Sequence, residues 1–102
     1  MYSYRTPFFR RLIAGKGAHD MLAPIIVGKV IQQCRESRGV SQEVLSGLAD
    51  IGRTHLSAIE RGARRPTLET FYRIAEGLQI KPSVLLASIE NEIRRSQGDK
   101  NP

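Results

Sequence analysis

From residue 25 to residue 96, apolar side chains recur at spacings of three and four, and no stretch alternates at the two-residue period of a strand. The pattern predicts five helices and an all-α fold. The first, near 25 to 38, places Val27, Ile31 and Cys34 on one face and stops at Gly39. A second begins at Ser41, whose hydroxyl is suited to cap unpaired amides of the first turn, with Glu43 favourable at the positive end of the helix dipole. Val44, Leu45 and Leu48 give it an apolar side. Ala49-Asp50-Ile51-Gly52 then breaks the helix, since Asp tolerates left-handed geometry and Gly is free to turn. Leu56 and Ile59 face inward from the third helix, and Leu68, Phe71, Ile74, Ala75 and Leu78 do so from a fourth that Thr67 caps. Pro82 or Ser83 opens the fifth. Its stripe of Leu85, Leu86, Ile89 and Ile93 is longer than a small core needs and predicts a partner helix across a dimer interface.

These elements divide the chain into an N-terminal arm at 1–24, a helical domain at 25–96 whose last helix, 82–96, serves dimerisation, and a polar tail at 97–102. The 102 residues suffice for one domain with a modest core. In the arm, Tyr2, Tyr4, Phe8 and Phe9 mix with basic residues and follow no helical or strand period. Two readings of it stand open: contact with a minor groove or phosphates, or a tail that packs its aromatics on the domain or a partner subunit. Met21 is an alternative start.

Charge narrows the function. A net charge of +6 and a pI near 10.1 call for a polyanionic partner, nucleic acid or an anionic membrane surface. The excess is concentrated. Residues 52 to 65 hold Arg53, Arg61, Arg64 and Arg65 against Glu60 alone, a net of +3, and residues 1 to 24 hold Arg5, Arg10, Arg11 and Lys16 against Asp20, another +3. A membrane-surface peptide fits poorly, because the apolar helix faces are matched to a core. A single cysteine excludes an intrachain disulfide and a cysteine-based zinc cluster, and with no signal-like or long apolar segment a cytoplasmic setting is expected. No cofactor and no metal are implied. His55, Ser57 and Glu60 lie close in sequence, yet positions 55 and 57 share no helix face, so no catalytic triad and no enzyme are expected.

Two short helices joined by a tight turn, the second followed by arginines, form a reading head for DNA if the third helix enters a major groove. Arg53, Thr54, Ser57 and Ala58 would then read bases. A guanidinium takes both acceptors of a guanine edge, hydroxyls bond several bases, and methyl groups touch a thymine methyl. His55 is placed to reach a phosphate or to remain solvated.

The run from Ser41 to Pro66 resembles the Cro/repressor-type helix-turn-helix domain of the Xre group, which includes phage repressors and restriction-modification controller proteins. The likeness lies in Gln42 after Ser41, in Arg53-Thr54 to Ile59-Glu60-Arg61-Gly62, and in Arg65-Pro66-Thr67-Leu68-Glu69-Thr70, and it spans roughly residues 26 to 88. It implies a compact, lambda-repressor-like bundle of five helices. It also implies phosphate contacts from Gln42, Arg61, Arg64 and Arg65, and an ion pair between Arg35 and Glu60 that ties the first helix to the third. Cys34 stands where the family usually has a large aliphatic, and is read as a small buried hydrophobe. Asp50 stands where the turn usually has Gly, Gly52 where a Ser cap is common, and Gly47 weakens the second helix by about 1 kcal/mol.

The leading expectation is a homodimeric transcriptional regulator on a near-palindromic operator in double-stranded DNA, with repression the favoured sign and activation through polymerase left open. The competing one is an antitoxin-like interaction module whose main partner is a toxin and whose DNA binding is secondary.

Overall fold

The computed structural model describes residues 22–98, which form five helices: α1 Pro24–Ser37, α2 Gln42–Ala49, α3 Arg53–Glu60, α4 Leu68–Gly77 and α5 Pro82–Ser96. Among the described residues there is no strand, and no helix is long and apolar enough to cross a membrane. Expectations for the aromatic arm before Leu22 and for the last four residues lie outside the described residues.

Local chemistry sets the boundaries. Pro24 and Pro82 sit in the first turns of α1 and α5, where the missing N–H costs nothing. The Ser41 hydroxyl accepts from the Val44 amide at 3.1 Å, and Thr67 Oγ1 accepts from the Thr70 amide at 3.1 Å. Each satisfies an amide left over at a helix start. The α2–α3 turn is made by Asp50, left-handed at φ 57°, while Gly52 caps α3 at φ −69° and makes no use of its freedom. Gln79, at φ 59°, plays the same part after α4.

The helices enclose one core, with Ile31, Leu45, Leu56, Ile59, Ile74 and Leu85 fully buried. α3 lies between α1 and α2, α4 closes on α2, and α5 packs against both α1 and α4. α3 is thereby held from behind along Leu56 and Ile59, and its other face is left outward.

Two sequence expectations need correction. On α2, Leu45 and Ala49 are buried, whereas Val44 and Leu48 are 54% and 61% exposed. The pair at 45 and 49 forms the ridge that meets α4, and 44 and 48 lie one ridge away. On α5, Leu85, Ile89 and Ile93 are buried in the monomer, and of the four residues assigned to a dimer stripe Leu86 alone is exposed, at 42%. The stripe extends along α5 because it serves two neighbouring helices of the same chain, so those three side chains are not free to join a second subunit.

Candidate nucleic-acid interface

The turn and the core present the first residues of α3 to solvent. Arg53 and Thr54 are exposed at its N-terminus, His55, Ser57 and Ala58 are half-buried along the same helix, and Leu56 and Ile59 anchor it from behind. No acidic residue occupies the first turn of α3 and no side chain caps it, so the positive end of the helix dipole adds to the Arg53 charge. Arg61, Arg64 and Arg65 follow on the exposed segment after the helix.

Glu60 contributes no negative charge to this face. Its side chain is 3% exposed and its Oε2 accepts from Arg35 Nε at 2.7 Å, while Oε1 accepts from Arg35 Nη2 at 3.0 Å. Arg35, 11% exposed, also donates from Nη1 to the Val40 carbonyl at 2.9 Å. This bidentate pair holds the guanidinium pKa above its ordinary value, chiefly through the hydrogen bond to Glu60. With the carboxylate neutralised internally, the outward charge near α3 comes from the arginines.

Three contacts within this surface carry no signal in sequence spacing alone. Gln42 Nε2 donates to Glu60 Oε1 at 2.9 Å, and Arg53 Nη1 donates to Gln42 Oε1 at 3.4 Å, which links the head of α3 to the start of α2. Arg65 Nη1 donates to the Leu22 carbonyl at 3.0 Å, tying the segment after α3 to the residues just before α1. The bond from Arg61 Nη1 to Ser57 Oγ, at 2.9 Å, is an i,i+4 contact that helical spacing could have anticipated.

Other chemistry finds little support. Ser57 accepts from Arg61, and the Glu60 carboxylate is taken by Arg35 and Gln42. No group of His, Cys, Asp and Glu among the described residues is arranged to hold a metal ion. Cys34 is half-buried against the core, and burial pushes its thiol pKa up despite the nearby Arg38 charge.

Residues 31–85 match the helix-turn-helix family model. Control protein C.BamHI of Bacillus amyloliquefaciens is 36% identical over 63 residues, covering 61% of this chain and 78% of that protein. Control protein C.MunI of a Mycoplasma species is 38% identical over 58 residues, covering 57% and 78%. Among solved structures, the restriction-modification controller protein C.AhdI of Aeromonas hydrophila superposes with a TM-score of 0.59 at 31% identity, covering 61% of this chain and 94% of its own. The controller protein C.Esp1396I, solved as a tetramer in complex with its natural 35 base-pair operator, superposes with a TM-score of 0.66 at 31% identity, covering 70% and 93%. With more than half of its length matched and the two-helix turn, outward α3 face and Arg35–Glu60 pair in place, the chain belongs to the Cro/repressor-type helix-turn-helix family.

Proposed function

We propose that this protein is a sequence-specific, DNA-binding transcriptional regulator, acting without enzymatic activity in the cytoplasm as a homodimer on a near-palindromic operator, with repression as its main effect. The observation that carries this reading is the outward face of α3: Arg53 and Thr54 stand exposed at its head while Leu56 and Ile59 are wholly buried behind them. Such a helix can enter a major groove without unpacking the monomer. Arg53, Thr54, Ser57 and Ala58 are the base-reading residues of this proposal, and Arg61, Arg64 and Arg65, with His55 at the edge, hold phosphates. The operator complex of C.Esp1396I supports the choice of a double-stranded DNA partner.

The roles separate experimentally. Arg53→Ala is expected to relax preference at one operator position, by about 1 to 3 kcal/mol, while binding to unrelated duplexes stays nearly intact. Arg65→Ala should weaken all sequences alike and reduce the salt dependence of log K by about 1. Selection from random duplexes followed by salt titration reads both. Identical behaviour of the two variants would overturn the assignment.

The subunit contact must use apolar residues that the monomer leaves uncovered. Leu68, 77% exposed, and Leu86 border an apolar cleft together with Leu22 and Phe71, and we place the dimer face there. Two recognition helices about 34 Å apart, one helical turn of DNA, then read the two half-sites. Leu68→Lys should convert a dimer to a monomer in gel filtration and leave helicity unchanged, because the side chain touches little of its own core. A purified protein that is stable only as a heteromer would favour the antitoxin-like reading instead.

A further inference from the structure

Four of the six aromatic residues of the chain, Tyr2, Tyr4, Phe8 and Phe9, precede the five helices, and Leu12 and Ile13 follow them before Leu22. A segment of 21 residues is too short to enclose a core for these side chains, so they gain burial only against another surface. Such a surface lies where the segment is joined to α1. An apolar cleft of about 240 Å³ opens between the starts of α1 and α4 and the outer side of α5, and Leu22 forms part of its wall. Leu22, Leu68 and Leu86 on its rim are exposed among the described residues. Arg65 is the one charged side chain that lines it, and its Nη1 holds the Leu22 carbonyl at 3.0 Å, so the residue to which the N-terminal segment is joined is pinned at the rim. Its guanidinium also gives an aromatic ring a cation to lie against.

We propose that Phe8 and Phe9 of the chain's own N-terminal segment occupy this cleft in the free monomer and must leave it before a second subunit pairs there. The inference rests on the dimer face placed at the cleft above. Connection favours this occupant over any other. Phe9 lies 13 positions before Leu22, a reach of about 43 Å when extended, and a tether of that length holds the rings near the rim at an effective concentration of about millimolar. A second subunit arrives only at its free concentration. The two occupants exclude each other, because each has to cover Leu68 and Leu86. The segment therefore sets the protein concentration at which dimers form, without touching the reading helix. Since the cleft must be cleared on both subunits, its effect enters squared: a docking equilibrium constant of about 1 to 10 weakens dimerisation by about fourfold to a hundredfold.

The test uses the full-length chain. The double variant Phe8→Ser, Phe9→Ser keeps every charge of the segment and changes no residue of the five helices. Its dimer dissociation constant in sedimentation equilibrium is expected to fall by about fourfold to a hundredfold, with helicity by circular dichroism unchanged. A second measurement reads the contact itself: photoreactive benzoylphenylalanine in place of Phe8, irradiated below the dimer dissociation constant, should crosslink within one chain to the stretch that holds Leu68 and Phe71 or to Leu86. An unchanged dimer constant overturns the proposal. So does a weaker dimer, or crosslinks formed only between chains, since either would make the segment a part of the subunit contact; a crosslink away from the cleft overturns it as well. Leu68→Lys tells the two readings apart. If that variant still dimerises, the dimer face is misplaced and the competition falls with it, whereas a monomeric Leu68→Lys beside a Phe8→Ser, Phe9→Ser dimer no tighter than the parent leaves the dimer face standing and removes the segment from it.

Discussion

Gly28→Ala should destabilise the protein by about 3 kcal/mol or more, enough to lower the thermal midpoint of a domain this size by about 12 to 24 °C. Adding one methyl inside an α-helix ordinarily stabilises it by up to about 1 kcal/mol. Here a Cβ would lie 2.6 Å from the Glu60 carbonyl oxygen and closer still to that of Ile59. Both obstacles are backbone, and α1 crosses the end of α3 at this point, so no rotamer change relieves the clash. The whole reading helix would have to move. Gly47→Ala on α2 is the control. It is the same substitution inside a helix, but nothing lies within 4 Å of the added atom. Propensity then acts alone, and the variant should gain about 0.5 to 1 kcal/mol. Thermal or urea unfolding of the two variants should give shifts of opposite sign. A Gly28→Ala protein as stable as the parent would mean that α1 and α3 do not approach as described.

The two glycines also show what the sequence could and could not say. Both sit in interior helical positions, and period and propensity treat them alike; what separates them is a helix crossing, which involves residues 31 positions apart. The helices themselves were readable from local signals, because Ser41 and Thr67 cap and Leu56 and Ile59 recur at helical spacing. The exposed head of α3 was readable for the same reason. Failures came where burial depends on what packs opposite. Val44 and Leu48 look like core residues by composition and lie outside it, and the long stripe on α5 is divided between α1 and α4 within one chain. The bonds of Gln42 with Glu60 and with Arg53 were out of reach because they join side chains 18 and 11 positions apart on different helices.

Arg35→Ala is the second large effect. Removing the guanidinium takes both arginine hydrogen bonds from a carboxylate that is 3% exposed and leaves it the Gln42 amide, where the interior offers little else to solvate a charge. Stranding one member of a buried ion pair costs about 3 to 5 kcal/mol. The Val40 carbonyl loses its donor as well, and with it the tie between α1 and the entry to α2. Desolvating both charges offsets much of what their attraction returns, so the pair as a whole contributes far less than the loss of one member suggests. The double variant Arg35→Met, Glu60→Leu should accordingly recover most of the stability that Arg35→Ala removes. Urea unfolding of the two proteins measures the difference. A small loss in Arg35→Ala, below about 1 kcal/mol, would show that water reaches Glu60 and that the carboxylate is not sealed between α1 and α3.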